Sequence, residues 1–230
     1  LIDSDAAFNE ALEWCAGQSY LVVDTETSGL QIRTSDYLMG IGLGTNKKQF
    51  YFPIQHFDYK ENNKFKLDRL RETISSCKTL IGHNIKFDLS VLYYAGLLDI
   101  EKKQKWIDIL PLARLLVSEK LPDLDLRSVV ARFLVGSRNR YDSEFKKLIK
   151  KKFASAPYKL TGIYCTNDVL CESEILELFR TMIKARELSA ITNIEIDLTR
   201  VLWNMEQTGL AVDVSCTNNM INQINALCNE

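Results

Sequence analysis

Short apolar blocks, separated by polar turns, divide the beginning of the chain into a series of predicted elements. Apolar residues at helical spacing predict a short helix over residues 7–14. A continuous apolar run that ends in a charge, residues 20–24, predicts a buried central strand. Residues 38–44 alternate large side chains with glycine, and residues 49–54 are rich in aromatics. Both segments therefore predict strands, which complete a three-stranded meander.

After residue 60 the pattern changes to an alternation of helices and short strands. Helical spacing predicts helices over residues 65–74, 88–94, 111–117 and 160–182. Short apolar runs predict strands over residues 79–82 and 106–109. Asp125 is placed to cap a further helix over residues 126–134. Such an alternation predicts an α/β layer fold.

Residues 191–230 differ in character from the rest of the chain. Residues 191–207 have a strong amphipathic pattern. Its apolar stripe consists of Ile194, Leu198, Val201, Leu202 and Met205. Gly209 follows at the position of a helix C-cap. We therefore predict a boundary near residue 190, with one domain over residues 1–190 and the helical start of another over residues 191–230.

The composition favours a packed core and excludes several classes of protein. The chain has 230 residues, of which 46% are hydrophobic, and only four prolines. No apolar run approaches the ~20 residues that cross a bilayer, and no basic-then-apolar leader is present, so we expect neither a membrane span nor secretion. Six cysteines without CxxC spacing argue against a zinc site or a disulfide framework and favour a reducing compartment. We interpret them as buried or half-buried thiols.

The formal net charge of −1 is low for a protein that binds nucleic acid, but the positive charges are clustered. One basic cluster consists of Lys102, Lys103 and Lys105. A second consists of Arg138, Arg140, Lys146, Lys147, Lys150, Lys151 and Lys152. Each cluster is either a solvated helix face or a phosphate-binding surface, and an acidic metal-binding centre would offset its charge.

The first of three acidic segments closes the buried strand. Side chains at positions i and i+2 of a strand share a face, roughly 6.5–7 Å apart, so Asp24 and Glu26 point the same way. Two such carboxylates repel each other unless a positive charge lies between them. They are therefore either solvated acids beyond the strand end or a pair directed at a cation. The turn over residues 27–30 keeps them at the edge of the sheet.

The second and third acidic segments lie on predicted helices. Asp88 is in the first turn of its helix, where an aspartate is most often a cap or a partner of the helix dipole. Asn84, in the turn before it, is a candidate substrate contact. Tyr164 and Asp168 are four residues apart, which places them on one helix face with Cβ atoms about 5–6 Å apart. A tyrosine at this spacing is also common in a core.

Taken together, the three segments predict a metal centre. Carboxylates from a strand end, a helix start and a helix middle can converge on two divalent ions about 3.5–4 Å apart. Carboxylate oxygens are the ligands that Mg²⁺ and Mn²⁺ prefer. We predict that Asp24, Glu26, Asp88 and Asp168 hold two such ions, with Tyr164 beside them.

The order DxE, Nx₃D and Yx₃D resembles the exonuclease motifs of the DEDD superfamily, in its tyrosine branch. The segments VVDTETSGL, YFPI, LIGHNIKFDLSVL and YCTNDVLCESEIL are similar, in order and separation, to the 3′→5′ proofreading exonuclease domain of family A (DNA polymerase I-like) DNA polymerases. This resemblance covers roughly residues 15–185. The segment IEIDLTRVLWNMEQTGLAVDVS resembles the start of the polymerase domain in that family, without a polymerase catalytic motif. His83 stands where relatives often have glutamine.

The resemblance implies an RNase H-like (DnaQ-like) exonuclease fold, in which helices flank a mixed central sheet. It implies that one metal ion is shared by Asp24, Glu26 and Asp168, and that a second is held mainly by Asp24. Tyr164 would orient the attacking water, and Asp88 would act partly through bound waters.

The resemblance also implies a substrate and a larger parent protein. The substrate would be the single-stranded or frayed 3′ end of DNA, contacted by Thr27, Leu30 and Asn84. The partner would be the polymerase domain of the same parent chain. The location would be the cytoplasm of a bacterium or of a phage-infected host, or an organelle.

Two alternatives remain open at this point. A stand-alone exoribonuclease similar to ribonuclease D would have the same acids, but it would continue into a helical nucleic-acid-binding domain. A catalytically silent module that only binds single strands is the alternative outside the enzymes, and the intact set of acids argues against it.

Overall fold

The computed structural model describes residues 2, 4–61, 63–117, 124–134 and 155–228. Within these residues the strands are β1 (Leu21–Thr27), β2 (Leu38–Gly44), β3 (Gln49–Pro53), β4 (Thr79–Gly82) and β5 (Lys105–Asp108). The helices are α1 (Asp5–Ala16), α2 (Lys64–Ser76), α3 (Lys86–Tyr94), α4 (Ile109–Leu116), α5 (Leu126–Phe133), α6 (Tyr158–Ala185), α7 (Ser189–Thr208) and α8 (Val214–Cys228). The five strands and the helices α1 to α7 each lie where the sequence predicts one.

The strands form one mixed sheet in the order β3-β2-β1-β4-β5. The meander β1-β2-β3 is antiparallel, whereas β4 and β5 run parallel to β1. Parallel pairing requires crossover connections, and α2 and α3 lie in those connections. The predicted α/β layer fold with a mixed sheet flanked by helices is therefore confirmed.

The first strand is longer than its apolar run predicts. Pairing with β2 continues through Thr25, Glu26 and Thr27, with an irregularity between the last two residues. The prediction that the strand closes at Asp24 was therefore wrong. Polar side chains do not end a strand whose backbone groups still have partners on the neighbouring strand.

Glycines in β2 allow a helix to approach the sheet. Gly42 lies opposite Asp24 in the β1–β2 ladder, so the two positions share a face of the sheet. A Cβ atom at Gly42 would lie 2.6 Å from Sγ of Cys165 and 2.8 Å from a methyl group of Val169. The alternation of glycine with large residues in β2 therefore gives α6 the space to pack beside the acidic end of β1.

The core lies between the sheet and the helices α4, α5 and α6. It combines strand residues such as Val22 and Ile81 with the inner faces of those helices. Phe133 and Phe179 meet edge to face with ring centroids 4.9 Å apart, which joins α5 to α6. This packing fixes α6, and with it the third acidic segment, against the sheet.

The chain divides into two compact units, Leu1–Thr199 and Arg200–Glu230. The division falls inside α7, so the boundary near residue 190 stays a prediction. Gly209 has a φ of +69° and its N–H donates to the carbonyl of Met205, as expected of a C-cap. The apolar stripe is exposed throughout, at 60% for Ile194, 38% for Leu198, 52% for Val201, 38% for Leu202 and 63% for Met205.

Other expectations about the surface have mixed outcomes. Four of the six cysteines are buried, but Cys216 and Cys228 are exposed, so the interpretation of all six as buried or half-buried thiols was wrong for these two.

The first basic cluster is exposed and lies at or just before the start of β5. The second basic cluster lies outside the described residues. No helix in the described part of the chain is long and apolar enough to span a membrane.

Candidate active site

The first two acids lie side by side in β1. Asp24, Glu26 and Cys165 each offer one ligand atom, and these three atoms lie within 4.8 Å of one another. Glu26 is only 7% exposed, and its buried Oε1 has no hydrogen-bond partner among the described residues. A buried carboxylate oxygen without a donor is costly, and a bound cation would satisfy it. The alternative that these acids are solvated beyond the strand end is excluded for Glu26.

Asp88 reaches β1 from the first turn of α3. Its Oδ1 accepts hydrogen bonds from the backbone N–H of Thr25 at 2.8 Å and from the Thr25 hydroxyl at 2.6 Å. Thr25 lies between the two acids in sequence but points to the opposite face of the strand. These two bonds connect α3 to the acidic end of β1, rather than capping the helix.

Asp168 and Tyr164 come from the middle of α6, which packs against β1, β2 and β3. Asp168 is 6% exposed, and Tyr164 is half-buried one turn earlier. The charge of Asp168 acts on Asp24, Glu26 and Tyr164. The structure thus brings together the four predicted acids and the predicted tyrosine from three different elements.

The electrostatics of this cluster favour a cation. Burial raises the pKa of Asp24 and of Glu26 well above the ordinary range, and the charges of the neighbouring carboxylates raise both further. Burial also raises the pKa of Asp88 to about 7, although its hydrogen bonds from Thr25 oppose the increase. Carboxylates whose burial and mutual repulsion disfavour ionisation are suited to hold divalent cations, so the residues present fit the metal centre that the sequence predicts.

Cys165 is a neighbour that the sequence analysis did not anticipate. Its thiol donates to the carbonyl of Asp24 over 3.7 Å. Burial raises the pKa of this thiol well above its usual range, and the charges of Asp24 and Glu26 add to the effect. A neutral thiol is a poor ligand, and a soft sulfur does not suit Mg²⁺, so Cys165 packs α6 onto the strand rather than completing the site.

The turn between β4 and α3 is held from two sides. Asn84 has a φ of +58°, and its N–H donates to Oδ1 of Asp108 at 2.8 Å. The N–H of His83 donates to Oε1 of Glu172 at 3.2 Å. A non-glycine residue at positive φ needs such support from its surroundings. The two carboxylates therefore fix the turn that precedes Asp88 and present the exposed Asn84.

Glu172 is a fifth acid that the sequence analysis missed. It lies one turn beyond Asp168 on α6, is 2% exposed, and its Oε2 has no hydrogen-bond partner among the described residues. Burial raises its pKa well above the ordinary range, and the charges of Asp88 and Asp168 add to this. The available signal was its spacing of four residues from Asp168, which places both on one helix face.

Thr27 and Leu30 lie where β1 leaves the sheet. The Thr27 hydroxyl donates to the carbonyl of Gly29 at 2.7 Å. Asp36 closes the following loop by accepting from the Ser28 hydroxyl at 3.0 Å and from the N–H of residue 31 at 2.7 Å. Leu30 is 80% exposed at the tip of this tied loop. An exposed leucine held in a structured loop is consistent with its predicted contact with a base.

Removing the Thr25 hydroxyl is expected to weaken metal binding at neutral pH. Thr25→Val deletes one bond that lowers the pKa of Asp88, so that pKa rises beyond about 7 and less carboxylate is available. We expect Mn²⁺ to bind about 10–100-fold more weakly at pH 7, with part of the affinity returning at pH 9. Calorimetric titration measures this, and Thr25→Ser is the matched control. Equal affinities of Thr25→Val and the wild type at pH 7 would contradict the interpretation.

The mixed sheet and the carboxylates at the end of β1 agree with the fold and the acidic centre that the sequence resemblance implies. The sequence profile of the 3′-5′ exonuclease family matches residues 1–184. The chain therefore belongs to the 3′-5′ exonuclease family.

Two phage proteins are similar to this chain in sequence. DNA polymerase DpoZ of Acinetobacter phage SH-Ab 15497 is 22% identical over 222 residues, which cover 90% of this chain and 34% of the relative. DNA polymerase DpoZ of Salmonella phage PMBT28 is 20% identical over 225 residues, or 92% of this chain and 34% of the relative. The chain thus spans about a third of the length of these relatives.

Solved structures confirm the RNase H-like fold. Brucella melitensis NrnC superposes with a TM-score of 0.61 at 19% identity, covering 86% of this chain and 91% of NrnC. Escherichia coli RNase D, an exoribonuclease involved in structured RNA processing, superposes with a TM-score of 0.61 at 17% identity, covering 89% of this chain and 50% of RNase D. At these identities the likeness establishes the fold alone.

Proposed function

We propose that the chain removes nucleotides from the 3′ ends of DNA, with two Mg²⁺ or Mn²⁺ ions, as the proofreading part of a family A DNA polymerase. The observation that carries this proposal is the convergence of the four acids, in which a buried oxygen of Glu26 has no donor among the described residues. Membership of the 3′-5′ exonuclease family supports the reaction. The two phage DNA polymerases support the parent protein and its substrate.

The proposed roles are those that the resemblance to proofreading exonucleases implies for these residues. Asp24, Glu26 and Asp168 would hold one ion, Asp24 would be the main ligand of the other, and Asp88 would act partly through bound waters. Ions held there would lower the pKa of a bound water and neutralise charge on the scissile phosphate. NrnC has also been solved with bound Mg²⁺, which supports the choice of ion. Two hydrogen bonds from Thr25 orient Asp88, and the packing of α6 against the sheet positions Asp168.

Tyr164 would orient the attacking water. Burial raises the pKa of its hydroxyl above the usual range, and the charge of Asp168 adds to the increase, so the phenol stays protonated and can donate a hydrogen bond. It lies one helical turn from Asp168, beside the cluster. A neutral donor at this position directs a water without adding negative charge to a site that is already acidic.

The terminal nucleotide would be held by residues at the edges of the cluster. Leu30 would pack against the terminal base, and Thr27 and Asn84 would contact the sugar and backbone. Such contacts carry little sequence preference, which suits the removal of any frayed nucleotide. The support for these roles is the exposure of Leu30 and Asn84, each four residues from a candidate metal ligand.

The second candidate is an RNA substrate, because RNase D shares the fold. Fold alone does not choose between the two substrates. DNA is preferred because the relatives by sequence are DNA polymerases over most of this chain's length. The exposed apolar stripe of α7, with Met205 at 63%, also agrees with a polymerase domain as partner in the parent chain.

A labelled-strand assay tests the proposal. Single-stranded DNA with a 5′ label should shorten one nucleotide at a time in Mg²⁺ or Mn²⁺ and stay intact in EDTA. An RNA strand of the same sequence should be degraded more slowly. Release of the 5′ label as a mononucleotide, or digestion in EDTA, would overturn the mechanism, and faster digestion of RNA would favour the exoribonuclease. Metal-dependent binding of DNA without any cleavage would indicate the silent module.

A further inference from the structure

Helix α5 contacts the predicted catalytic tyrosine through an arginine. A guanidinium nitrogen of Arg127 donates to the hydroxyl oxygen of Tyr164 at 3.1 Å. The guanidinium carbon also lies 5.7 Å from the centroid of the Tyr164 ring. One side chain therefore contacts both the hydroxyl and the ring, which restrains the tyrosine more than either contact alone.

The start of α5 is itself well fixed. Asp125 caps the helix by accepting from the N–H of Ser128 at 3.1 Å, and it also accepts from the Ser128 hydroxyl at 2.9 Å. Val129 and Val130 are buried in the core beside α6. Arg127 lies between the cap and these anchors and is half-buried. The packing of α5 therefore sets the direction in which the Arg127 side chain points.

The bond limits what the Tyr164 hydroxyl can do. A phenol has one proton to donate and lone pairs to accept with. Since Arg127 has only protons to give, the hydroxyl accepts from it and keeps its own proton for another acceptor. The positive charge of Arg127 also opposes the increase that burial and Asp168 cause in the pKa of Tyr164. The guanidinium of Arg127 thus offsets part of the negative charge next to Tyr164.

We propose that Arg127 is a positioning residue for nucleotide removal, which holds the Tyr164 hydroxyl in the orientation from which it directs the attacking water. This rests on the proposed function of Tyr164. It makes α5 part of the active site, although none of the three acidic motifs includes it. Arg127 acts through Tyr164, and no contact between Arg127 and the substrate is needed.

A double-mutant cycle tests this dependence. Tyr164→Phe removes the acceptor, and Arg127→Met removes the donor while keeping an unbranched apolar stem. Because a hydrogen bond from a charged donor is being deleted, we expect Arg127→Met to lower kcat about 10-fold to 100-fold, with KM nearly unchanged. In the Tyr164→Phe background the same change should cost less than about 2-fold. Arg127→Lys, which keeps a charged donor, should restore part of kcat.

The controls separate this role from substrate binding and from folding. Arg132→Met, on the exposed side of the same helix, should leave kcat and KM as in the wild type. If Arg127 instead bound phosphate, Arg127→Met would raise KM and reduce the salt dependence of binding, to the same extent with or without the Tyr164 hydroxyl. Additive losses in the cycle, or a purely KM effect, would overturn the proposal.

A measurement without metal or substrate distinguishes failure of this inference from failure of the proposed function. In EDTA, the ¹³Cζ resonance of Tyr164, assigned by its loss in Tyr164→Phe, should shift in Arg127→Met and stay in place in Arg132→Met. An unchanged resonance in Arg127→Met would overturn the positioning role even in an active enzyme. A shifted resonance in a protein that cleaves nothing would leave the contact in place and overturn the catalytic part of the proposal.

Discussion

Asp24→Asn is expected to abolish nucleotide release while making the metal-free protein more stable. Asp24 is proposed to be a ligand of both ions, so its loss should remove several kcal/mol of transition-state stabilisation, or about 10³-fold in kcat. In EDTA the same change removes a carboxylate whose pKa is raised by burial and by its acidic neighbours. Each kcal/mol of repulsion that the change removes should raise Tm by about 2–4 °C for a domain of this size. Strand-shortening assays and thermal melts at pH 8 measure both effects.

The matched control for this variant is Asp68→Asn, which changes an exposed acid on α2. It should keep the wild-type kcat and the wild-type Tm in EDTA, because a solvated carboxylate has little repulsion to lose. An Asp24→Asn protein that still shortens DNA would show that Asp24 is not an essential ligand. An Asp24→Asn protein that melts below the wild type in EDTA would show that the acid contributes to the fold.

The sequence was sufficient to predict the layers of the fold. Apolar runs closed by a charge or a glycine predicted β1 and β4, and helical spacing predicted α1 to α7 within a few residues. The extension of β1 through Thr27 was missed. It depends on pairing with β2, a long-range interaction that local hydrophobicity does not report.

The candidate site was predictable only in part. Asp24, Glu26, Asp88, Asp168 and Tyr164 were found because they lie in short motifs of fixed spacing, and the structure brings all five together. Their individual roles stay proposals.

The residues that support the site lie outside the three short motifs. Arg127 contacts Tyr164 across 37 positions of sequence, and Glu172 contacts the backbone of His83 across 89. Asp108 fixes Asn84 across 24 positions. Contacts of this kind arise from the way α5, α6 and β5 pack, and a single sequence does not encode them as a spacing. The sequence indicates Glu172 only through its spacing of four residues from Asp168, which places both side chains on one helix face.

The supporting contacts explain how the fold tolerates so acidic a centre. Each buried carboxylate raises the pKa of its neighbours, which disfavours ionisation in the absence of metal. Fixed donors hold the groups in place all the same: Thr25 for Asp88, and the His83 backbone for Glu172. The core between the sheet and α6 supplies the stability that this repulsion opposes. We therefore expect affinity for divalent ions and instability of the metal-free protein to have the same physical cause.

Raising the pH should therefore destabilise the metal-free protein. The pKa values of Asp24, Glu26 and Glu172 are well above the ordinary range, and that of Asp88 is about 7, whereas carboxylates in the unfolded chain titrate near pH 4. The folded state therefore holds extra protons, and this contribution to stability is lost as the pH rises through the folded pKa values. The free energy of unfolding should fall by about 1.4 kcal/mol per pH unit for each extra proton.

The measurement is the Tm in EDTA between pH 7 and pH 8.5. Burial lowers the pKa of His56 and of His83, so these two groups add stability as the pH rises, but their contribution is complete near pH 7. Asp24→Asn should make the decline in Tm shallower. Millimolar Mn²⁺ should remove it, because ions bind the ionised native cluster and stabilise it by mass action. A Tm in EDTA that is constant or increases from pH 7 to pH 8.5 would show that the carboxylates are already ionised without metal, and that the centre does not carry the repulsion inferred from its burial.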